Sequence, residues 1–433
     1  MSRHVAPLLL CLPLVSGCPA QGSGGGQEGQ NQPSPNASIL PAPLLSAAEP
    51  SSLPKLDAGR GGIPADSAGR LIVPEAGPPE PTPLRDEEAL PRDTLTAKDG
   101  TGVTLEAHFK WLDVPGPNAV PELSTDALKK AKEKTALKVT VDLAPAGRMR
   151  FTFASVAFPL PMGTELRAQS EHYGHVLVWP DGNAYRVLRA GTLRALVSER
   201  RADALPLAQV KPAERGKGNY LGLETVKREL KTPVGELSLE SGNVPNIGRA
   251  GELLCRLLLD LVAVDPAGKG CDEGGTPLKA ELRWPKGGKL AFEVSAIARK
   301  AELPFGLLFV PPAGAAFRPG ELPPQAAGVF FTSEELASLH TKSVPGDPPA
   351  KDAPGEGVLA VNRTDSLRYL LVDGLPVAWI RPQTEQLLIG PLPGRYSLSW
   401  RDFLGSAIEP AKVVSLPARV VVGGAPDAGT PPP

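Results

Sequence analysis

The sequence predicts a mainly β protein with some α+β character, built from several domains with antiparallel sheets and a small C-terminal β-sandwich. Two patterns predict this fold class. Apolar and polar residues alternate along many short segments, as in strands that turn one face to a core, and turn residues separate these segments. In addition, glycine and proline number 46 and 50 among 433 residues, which is high for one compact globule and indicates several modules.

The chain begins with an apolar segment that follows one positive residue. After Arg3, residues 5–15 are apolar, and the small pair Ser16-Gly17 precedes Cys18. An apolar core of about 11 residues is too short to span a bilayer, which takes about 20. Because a positive start, an apolar core and small residues in this order are typical of export signals, residues 1–17 are predicted to be a signal peptide.

The end of this segment, Val15-Ser16-Gly17-Cys18, resembles the lipobox of bacterial lipoproteins. The resemblance implies cleavage before Cys18 and lipidation of that residue, as a diacylglycerol thioether and usually an N-acyl chain such as palmitate. The membrane would then be a partner through this lipid. Pro19, where an aspartate often signals inner-membrane retention, favours an outer-membrane lipoprotein, periplasmic or surface-exposed. The alternative is an ordinary secretory signal in which Cys18 is incidental.

Residues 18–98 are predicted to be a disordered tether. They are rich in glycine, proline and serine, and the first aromatic residue of the chain is Phe109. A segment with so few large apolar groups cannot offset its ordering entropy by burial.

The first folded module is predicted at residues 99–205, as an antiparallel β-rich domain. Val103, Leu105, Ala107, Phe109 and Trp111 alternate with polar residues, and segments 137–143 and 149–153 repeat the pattern. Segments 176–179 and 184–188 flank a turn and predict a hairpin. Short helices are expected at 124–134 and 192–200.

A second module, residues 206–342, is predicted to be an α+β domain. Strands are expected at 221–230, 235–240, 279–284 and 289–294. Residues 251–262 are apolar almost all round, which predicts a helix packed inside the module. A last helix is expected at 332–339, where Thr332 and Glu335 have the spacing of a capping box.

Residues 343–356 are predicted to be a linker, 357–423 a small β-sandwich of short strands, and 424–433 a disordered tail. The segments 372–377 (VDGLPV) and 392–398 (LPGRYSL) resemble the strand-turn and strand-start motifs of PEGA domains. The Pro-Glu-Gly-Ala segment from which PEGA domains take their name is absent, and residues 364–367 stand roughly where it would be. The resemblance implies an envelope or surface sandwich without known catalytic residues, and other transthyretin-like or immunoglobulin-like sandwiches fit as well.

Cys255 and Cys271 remain after Cys11 and Cys18 are assigned to the signal and the lipid. An oxidising compartment predicts a disulfide between them, closing a loop of about 15 residues and contributing about 3 kcal/mol. The alternative is a pair of buried reduced thiols.

The search for chemistry gives no catalytic residue, no metal site and no cofactor. The best metal candidates are His172 and His175, with solvated histidines as the alternative. Asp272-Glu273 could bind calcium, although a solvated loop explains them as well. The five tryptophans, Trp111, Trp179, Trp284, Trp379 and Trp400, are expected in cores rather than on a sugar-stacking surface.

These observations predict a non-enzymatic envelope lipoprotein that binds or scaffolds another cell-envelope component, a protein or a glycan. A net charge of -1 disfavours nucleic acid as a partner. Two alternatives remain open: an unrecognised hydrolase acting on cell wall or polysaccharide, and a carbohydrate-binding surface protein.

Overall fold

The structure is a computed structural model that describes residues 80–86, 88–96, 101–112, 125–155, 160–197, 206–271, 274–285, 287–323, 328–339, 344–402 and 404–424. These residues form several sheets, mostly antiparallel, and four α-helices, so the predicted fold class is confirmed. The predicted signal peptide, Cys18, most of the tether and most of the tail lie outside the described residues. None of the helices in the described part has the length and apolar character needed to cross a membrane.

The strands in chain order are β1 Thr82–Pro83, β2 Gly102–Leu112, β3 Leu137–Ala144, β4 Arg148–Phe153, β5 Glu165–Gln169, β6 His172–Tyr173, β7 His175–Val178, β8 Ala184–Leu188, β9 Ala213–Tyr220, β10 Leu223–Thr232, β11 Gly235–Gly242, β12 Thr276–Arg283, β13 Lys289–Lys300, β14 Ala316–Phe317, β15 Val358–Asn362, β16 Arg368–Val372, β17 Leu375–Ile380, β18 Thr384–Leu388, β19 Gly394–Arg401, β20 Lys412–Leu416 and β21 Ala418–Val422. The helices are α1 Thr125–Lys134, α2 Thr192–Val197, α3 Gly251–Leu261 and α4 Ser333–Ser338.

One sheet of twelve strands dominates the described part, in the order β14-β8-β7-β5-β4-β3-β2-β13-β12-β11-β10-β9. At its centre β2 pairs with β13, so that Phe109 lies opposite Phe292. This pairing joins strands from the two modules predicted at 99–205 and 206–342 into a single sheet. The alternation of apolar and polar residues along a strand indicates which face is buried, but it does not indicate which strand lies beside it. The sequence therefore did not predict the pairing of β2 with β13. The domain boundaries stay predictions.

Helix α3 packs against one face of this sheet, called here the inner face. Its leucines share a core with the inward side chains of the central strands, among them Leu105, Phe151 and Phe292. The predicted buried helix at 251–262 thus begins at the expected residue. The opposite, outer face of the sheet carries the polar side chains that alternate with the core residues.

Residues 80–86 and 88–96 pack against the large sheet, where the sequence predicted the end of a disordered tether. β1 (Thr82–Pro83) pairs with β6, and Leu84 is buried against β7 and β8. Asp93 pairs with the buried side chain of Arg148. Asp86 pairs with Arg189, and Leu90 and Leu95 pack against the core. These contacts hold the segment although its composition is poor in large apolar groups.

The hairpin of β9 and β10 at one edge of the large sheet also differs from the prediction. Residues 221–230 were predicted to be one strand, but Leu221 and Gly222 form the turn between β9 and β10, with φ angles of 51° and 77°. Two positive φ values are what a two-residue hairpin turn requires. The predicted hairpin of β7 and β8 is confirmed, and so is the Thr332–Glu335 capping box at α4.

The predicted C-terminal β-sandwich is confirmed, with a three-stranded sheet (β18-β15-β21) facing a four-stranded one (β17-β16-β19-β20). Tyr369, Trp379, Tyr396 and Trp400 fill its core. Tyr396 donates its hydroxyl hydrogen to the carbonyl of Leu392 at 2.7 Å, an arrangement also found as the tyrosine corner of immunoglobulin-like sandwiches. The relationship to PEGA domains stays a prediction.

Asp373 begins the tight turn between β16 and β17, with Gly374 beside it; both have positive φ. Burial raises the pKa of Asp373 to about 6, although the Ser397 N–H donates to its carboxylate at 2.7 Å and opposes the shift. A carboxyl group whose pKa is raised on folding stabilises the fold below its unfolded pKa. That contribution is lost as the pH rises through the folded value, here between about 4 and 6.

We therefore expect Asp373→Asn to stabilise the protein by about 1 to 2 kcal/mol at pH 8 and to have little effect at pH 4. Asparagine keeps the turn, because it tolerates positive φ as aspartate does. Urea unfolding at both pH values measures the difference between variant and wild type. Burial raises the pKa of Asp402 as well, so the variant difference rather than the wild-type curve is the test. An equal difference at both pH values would show that ionisation of Asp373 is not the cause.

Candidate functional site

The structure joins Cys255 and Cys271 by a disulfide, with their Cα atoms 5.8 Å apart. Cys255 lies in α3 and is buried, and Cys271 lies in the segment that leads towards β12. The bond therefore ties the central helix to the chain ahead of the sheet strand on which the helix packs. Cys18, the predicted lipidation residue, and Asp272-Glu273, the calcium candidates, lie outside the described residues.

The two histidines proposed as metal ligands take part in different contacts. His172 Nδ1 is 2.9 Å from the Thr82 hydroxyl, whereas His175 is buried with its Nδ1 3.6 Å from Asp260 Oδ2. Within the described ranges, no group of three or more His, Cys, Asp and Glu side chains is arranged to hold a metal ion. These histidines thus connect β1 to β6 and β7 to α3.

The tryptophans do not form a sugar-stacking surface. Trp179, Trp284, Trp379 and Trp400 are buried, and Trp111 is half-buried, with its ring edge against Tyr369 at a centroid distance of 4.7 Å. All five therefore contribute to packing, as the sequence predicted.

The outer face of the large sheet carries a row of side chains with alternating charge. Pairing across neighbouring strands sets them side by side. Two ion pairs of 3.8 Å and a contact of 3.7 Å between His108 and Glu293 link members of the row. The row comprises Lys138, His108, Glu293, Lys279, Glu240 and Lys227. Tyr220 lies beside it and donates to Glu293 at 2.9 Å; burial and Glu293 raise the pKa of Tyr220 to about 12.

A groove of about 440 Å³ opens at the Lys138 end of this row, between β2, β3, β13 and helix α1. Strand β2 contributes three alternate residues, which share one face because side chains of a strand alternate. A β-bulge displaces Ser295 of β13, whose hydroxyl donates to the Glu106 carbonyl at 3.1 Å. The groove is lined by Glu106, Ala107, His108, Lys110, Glu133, Ala136, Lys138, Val139, Thr140, Ala154 and Ser295.

His108 is a partly buried polar residue of the groove, and its pKa is shifted by its surroundings. Burial lowers its pKa, and the nearby charges of Lys110 and Lys138 lower it further, while Glu293 acts in the opposite direction. Its Nε2 is buried and has no hydrogen-bond partner within the described part of the chain. The lowered pKa favours the uncharged imidazole at neutral pH, with Glu293 Oε2 3.7 Å from Nε2.

The other charged side chains in the groove are also available. Among the residues that the structure describes, Glu106, Lys110, Glu133 and Lys138 form no ion pair with one another or with neighbours. The remaining charges of the outer face are mostly paired, for example Arg150 with Asp142 and Arg167 with Glu165. The groove thus collects unpaired charges of both signs in one place.

The inner face holds a second, apolar pocket between α3 and strands β2 and β11–β13. A turn of the C-terminal sandwich, which includes Asp402 and residues 404–406, places Leu404 in this pocket, which keeps about 30 Å³ unfilled. Asp402 stabilises the turn by accepting the Ser406 N–H at 2.9 Å. The pocket is lined by Phe109, Leu237, Leu258, Leu261, Val262, Ala280, Leu282, Leu290, Phe292 and Leu404.

Neither the groove nor the apolar pocket can be recognised from the local sequence. Glu106, His108 and Lys110 were recognised only as the polar side of a strand. The partners that complete the groove come from β3, β13 and α1, and no local pattern indicates that these elements meet. Leu404 lies outside the predicted strands of its module, so nothing in its surroundings in sequence marked it as a core residue.

No family model and no curated protein matches this chain. Among solved structures it is similar to the MucA/MucB complex of Pseudomonas aeruginosa, with 9% identity over 48% of this chain and 54% of that one and a TM-score of 0.23. A LolA superfamily protein of Nitrosomonas europaea matches at 9% identity over 48% and 90% of the two chains, with a TM-score of 0.21.

A structure of MucB with MucA(peri) matches at 12% identity over 74% and 88% of the two chains, with a TM-score of 0.23. The chain spans about half the length of the first of these structures (54%). Likenesses at such TM-scores do not establish a shared fold, and the function proposed below rests on the residues of this chain.

Proposed function

We propose that this protein is a lipoprotein of the cell envelope, held on the outer membrane by lipid on Cys18, and that its folded part binds another envelope component without catalysing a reaction. The groove on the outer face is the observation that carries the binding role. Its volume of about 440 Å³ lies within the range of about 300–1,000 Å³ found for small-molecule pockets. Its unpaired charged side chains gain partners when a polar ligand enters.

The anchor and the tether belong to the same proposal. Several acyl chains on Cys18 would hold the protein on a bilayer, since each buried methylene contributes about 0.8 kcal/mol. Residues 18–79, rich in glycine and proline, would act as the tether. As a flexible coil they would have a root-mean-square reach of about 40–45 Å, so the groove could meet components at that distance from the membrane.

Site-specific photo-crosslinking in intact cells tests the binding role. A photoreactive residue at Thr140, inside the groove, is expected to capture one or a few envelope components reproducibly. The matched control is the same residue at Lys231, an exposed position of β10 in the same sheet. Equal capture at the two positions, or none at Thr140, would contradict the proposal. In a Cys18→Ser variant the protein should leave the membrane fraction.

A second candidate function rests on the same groove. Glu106 and Glu133 both line it, and polysaccharide hydrolases use a pair of carboxyl groups that flank the scissile bond. Incubation of the protein with purified envelope polysaccharide measures this candidate. Release of reducing ends that is lost in both Glu106→Gln and Glu133→Gln would replace the binding function by a hydrolase.

A further inference from the structure

The charges in the groove are ordered along strand β2. Glu106, His108 and Lys110 follow one another on the same face, and four residues of strand place Glu106 and Lys110 about 13 Å apart at their Cα atoms. On the neighbouring strand β3, Lys138 lies opposite His108 and Thr140 lies opposite Glu106. The groove is therefore positive towards Lys110 and negative towards Glu106.

The surroundings of His108 support this order. Burial lowers its pKa first, Lys110 and Lys138 lower it as well, and Glu293, opposite His108 on β13, acts against the two lysines. A positive potential therefore reaches the imidazole from the side of Lys110 and Lys138, and Glu293 reduces it. At the other end, the Glu106 carboxylate has Thr140 as its cross-strand neighbour, which is uncharged. A ligand that carries a negative group at one end and a positive group at the other would compensate both ends of the groove.

We propose that the groove binds a short zwitterionic peptide in an extended conformation. Its carboxylate would lie at Lys110, Lys138 and His108, and its ammonium group at Glu106. An extended chain rises about 3.4 Å per residue, so a peptide of about four residues matches the spacing of the charges. No aromatic side chain lines the groove in the described part, and a ligand held by ring stacking has no platform there. This inference rests on the proposed function and specifies its ligand.

Calorimetric titration of the full chain, purified in detergent, with tetra-alanine tests the proposal. Tetra-alanine should bind, and N-acetyl-tetra-alanine and tetra-alanine amide should each bind at least about fivefold more weakly, since each lacks one charged end. In Glu106→Gln the penalty of acetylation should disappear. In Lys110→Met the penalty of amidation should become smaller, since Lys138 and His108 remain near the carboxylate. Lys231→Met, outside the groove, should retain both penalties.

Glu133→Gln is the second control, because Glu133 is the other carboxylate of the groove. This variant should retain the penalty of acetylation, and loss of that penalty in Glu133→Gln instead of Glu106→Gln would overturn the assignment. Absence of tetra-alanine binding at millimolar concentration would overturn the peptide ligand, and so would penalties that persist in every variant. Capture at Thr140 in cells is measured independently, so a failure of the peptide can be distinguished from a failure of the binding function.

Discussion

Leu404→Ala is expected to lower the free energy of unfolding by about 2 to 5 kcal/mol, the range measured for buried leucines in protein cores. Leu404 is 3% exposed, and it carries the only side chain of the C-terminal sandwich among those lining the pocket under α3 in the described residues. A cavity is already present beside it, and truncation would enlarge that cavity. Urea unfolding at pH 7 gives the value.

The control for this prediction is Leu387→Ala in the same sandwich. Leu387 is 44% exposed, so its truncation should change stability by no more than about 0.5 kcal/mol. If Leu404→Ala lowers the free energy of unfolding as little as the control does, the turn that contains Leu404 does not stabilise the packing of the sandwich against the large sheet. A separate unfolding transition of the sandwich in Leu404→Ala would show instead that this turn couples the two.

Asp93→Ala is expected to lower the free energy of unfolding by about 3 to 5 kcal/mol, because it leaves the buried cation of Arg148 without its buried partner. The side chains of Arg148 and Asp93 are 7% and 1% exposed, and their closest ion-pair contact is 3.0 Å. Asp93 also accepts the Val310 N–H at 2.9 Å. Thermal and urea unfolding at pH 7 measure the loss.

Glu171→Ala is the matched control, since Glu171 pairs with the same arginine but is 52% exposed. We expect a loss of about 1 kcal/mol or less, as for other surface ion pairs. Similar losses for the two variants would contradict the assignment of the buried pair as the stronger one.

The pH dependence of this ion pair has the opposite sign to that of Asp373. Burial alone would raise the pKa of Asp93, but the hydrogen bonds from Arg148 and from the Val310 N–H hold it below the ordinary value. Its stabilisation is therefore complete above the unfolded pKa and is lost as the pH falls through the folded value. In Asp93→Ala the acid side of the stability profile should be flatter.

The sequence was sufficient for the elements whose pattern is local. The alternation from Val103 to Trp111 predicted β2, and the apolar run at 251–262 predicted α3 as a buried helix. The spacing of Thr332 and Glu335 predicted the start of α4. In each case one short segment contains both the residues that favour the element and the pattern that shows which of its faces is buried or how it begins.

Elements that depend on distant partners could not be predicted in this way. β9 (Ala213–Tyr220) is almost entirely exposed and has no apolar alternation. It is placed by backbone pairing with β10 and by the contacts of Tyr220 with β13, neither of which a local pattern indicates. The groove depends on the meeting of three strands and a helix. His108 lines this groove, and in the sequence it resembles any polar residue of a strand. Lys138 and Glu293, which help to shift its pKa, are its neighbours on adjacent strands, so the sequence around His108 does not reveal them.

The central pairing of β2 with β13 also has a consequence for how the protein acquires its structure. One edge of β2 pairs with β3, which is near in sequence, whereas the other edge finds its neighbour only at residues 289–300. Closing so long a loop costs entropy before any contact compensates for it. Proteins dominated by such non-local pairings fold slowly, in milliseconds to seconds. Until β13 pairs with it, β2 has one unpaired strand edge, and such an edge can pair with a strand of another chain. The interval between synthesis of β2 and arrival of β13 is therefore the period in which this protein is most exposed to aggregation and proteolysis.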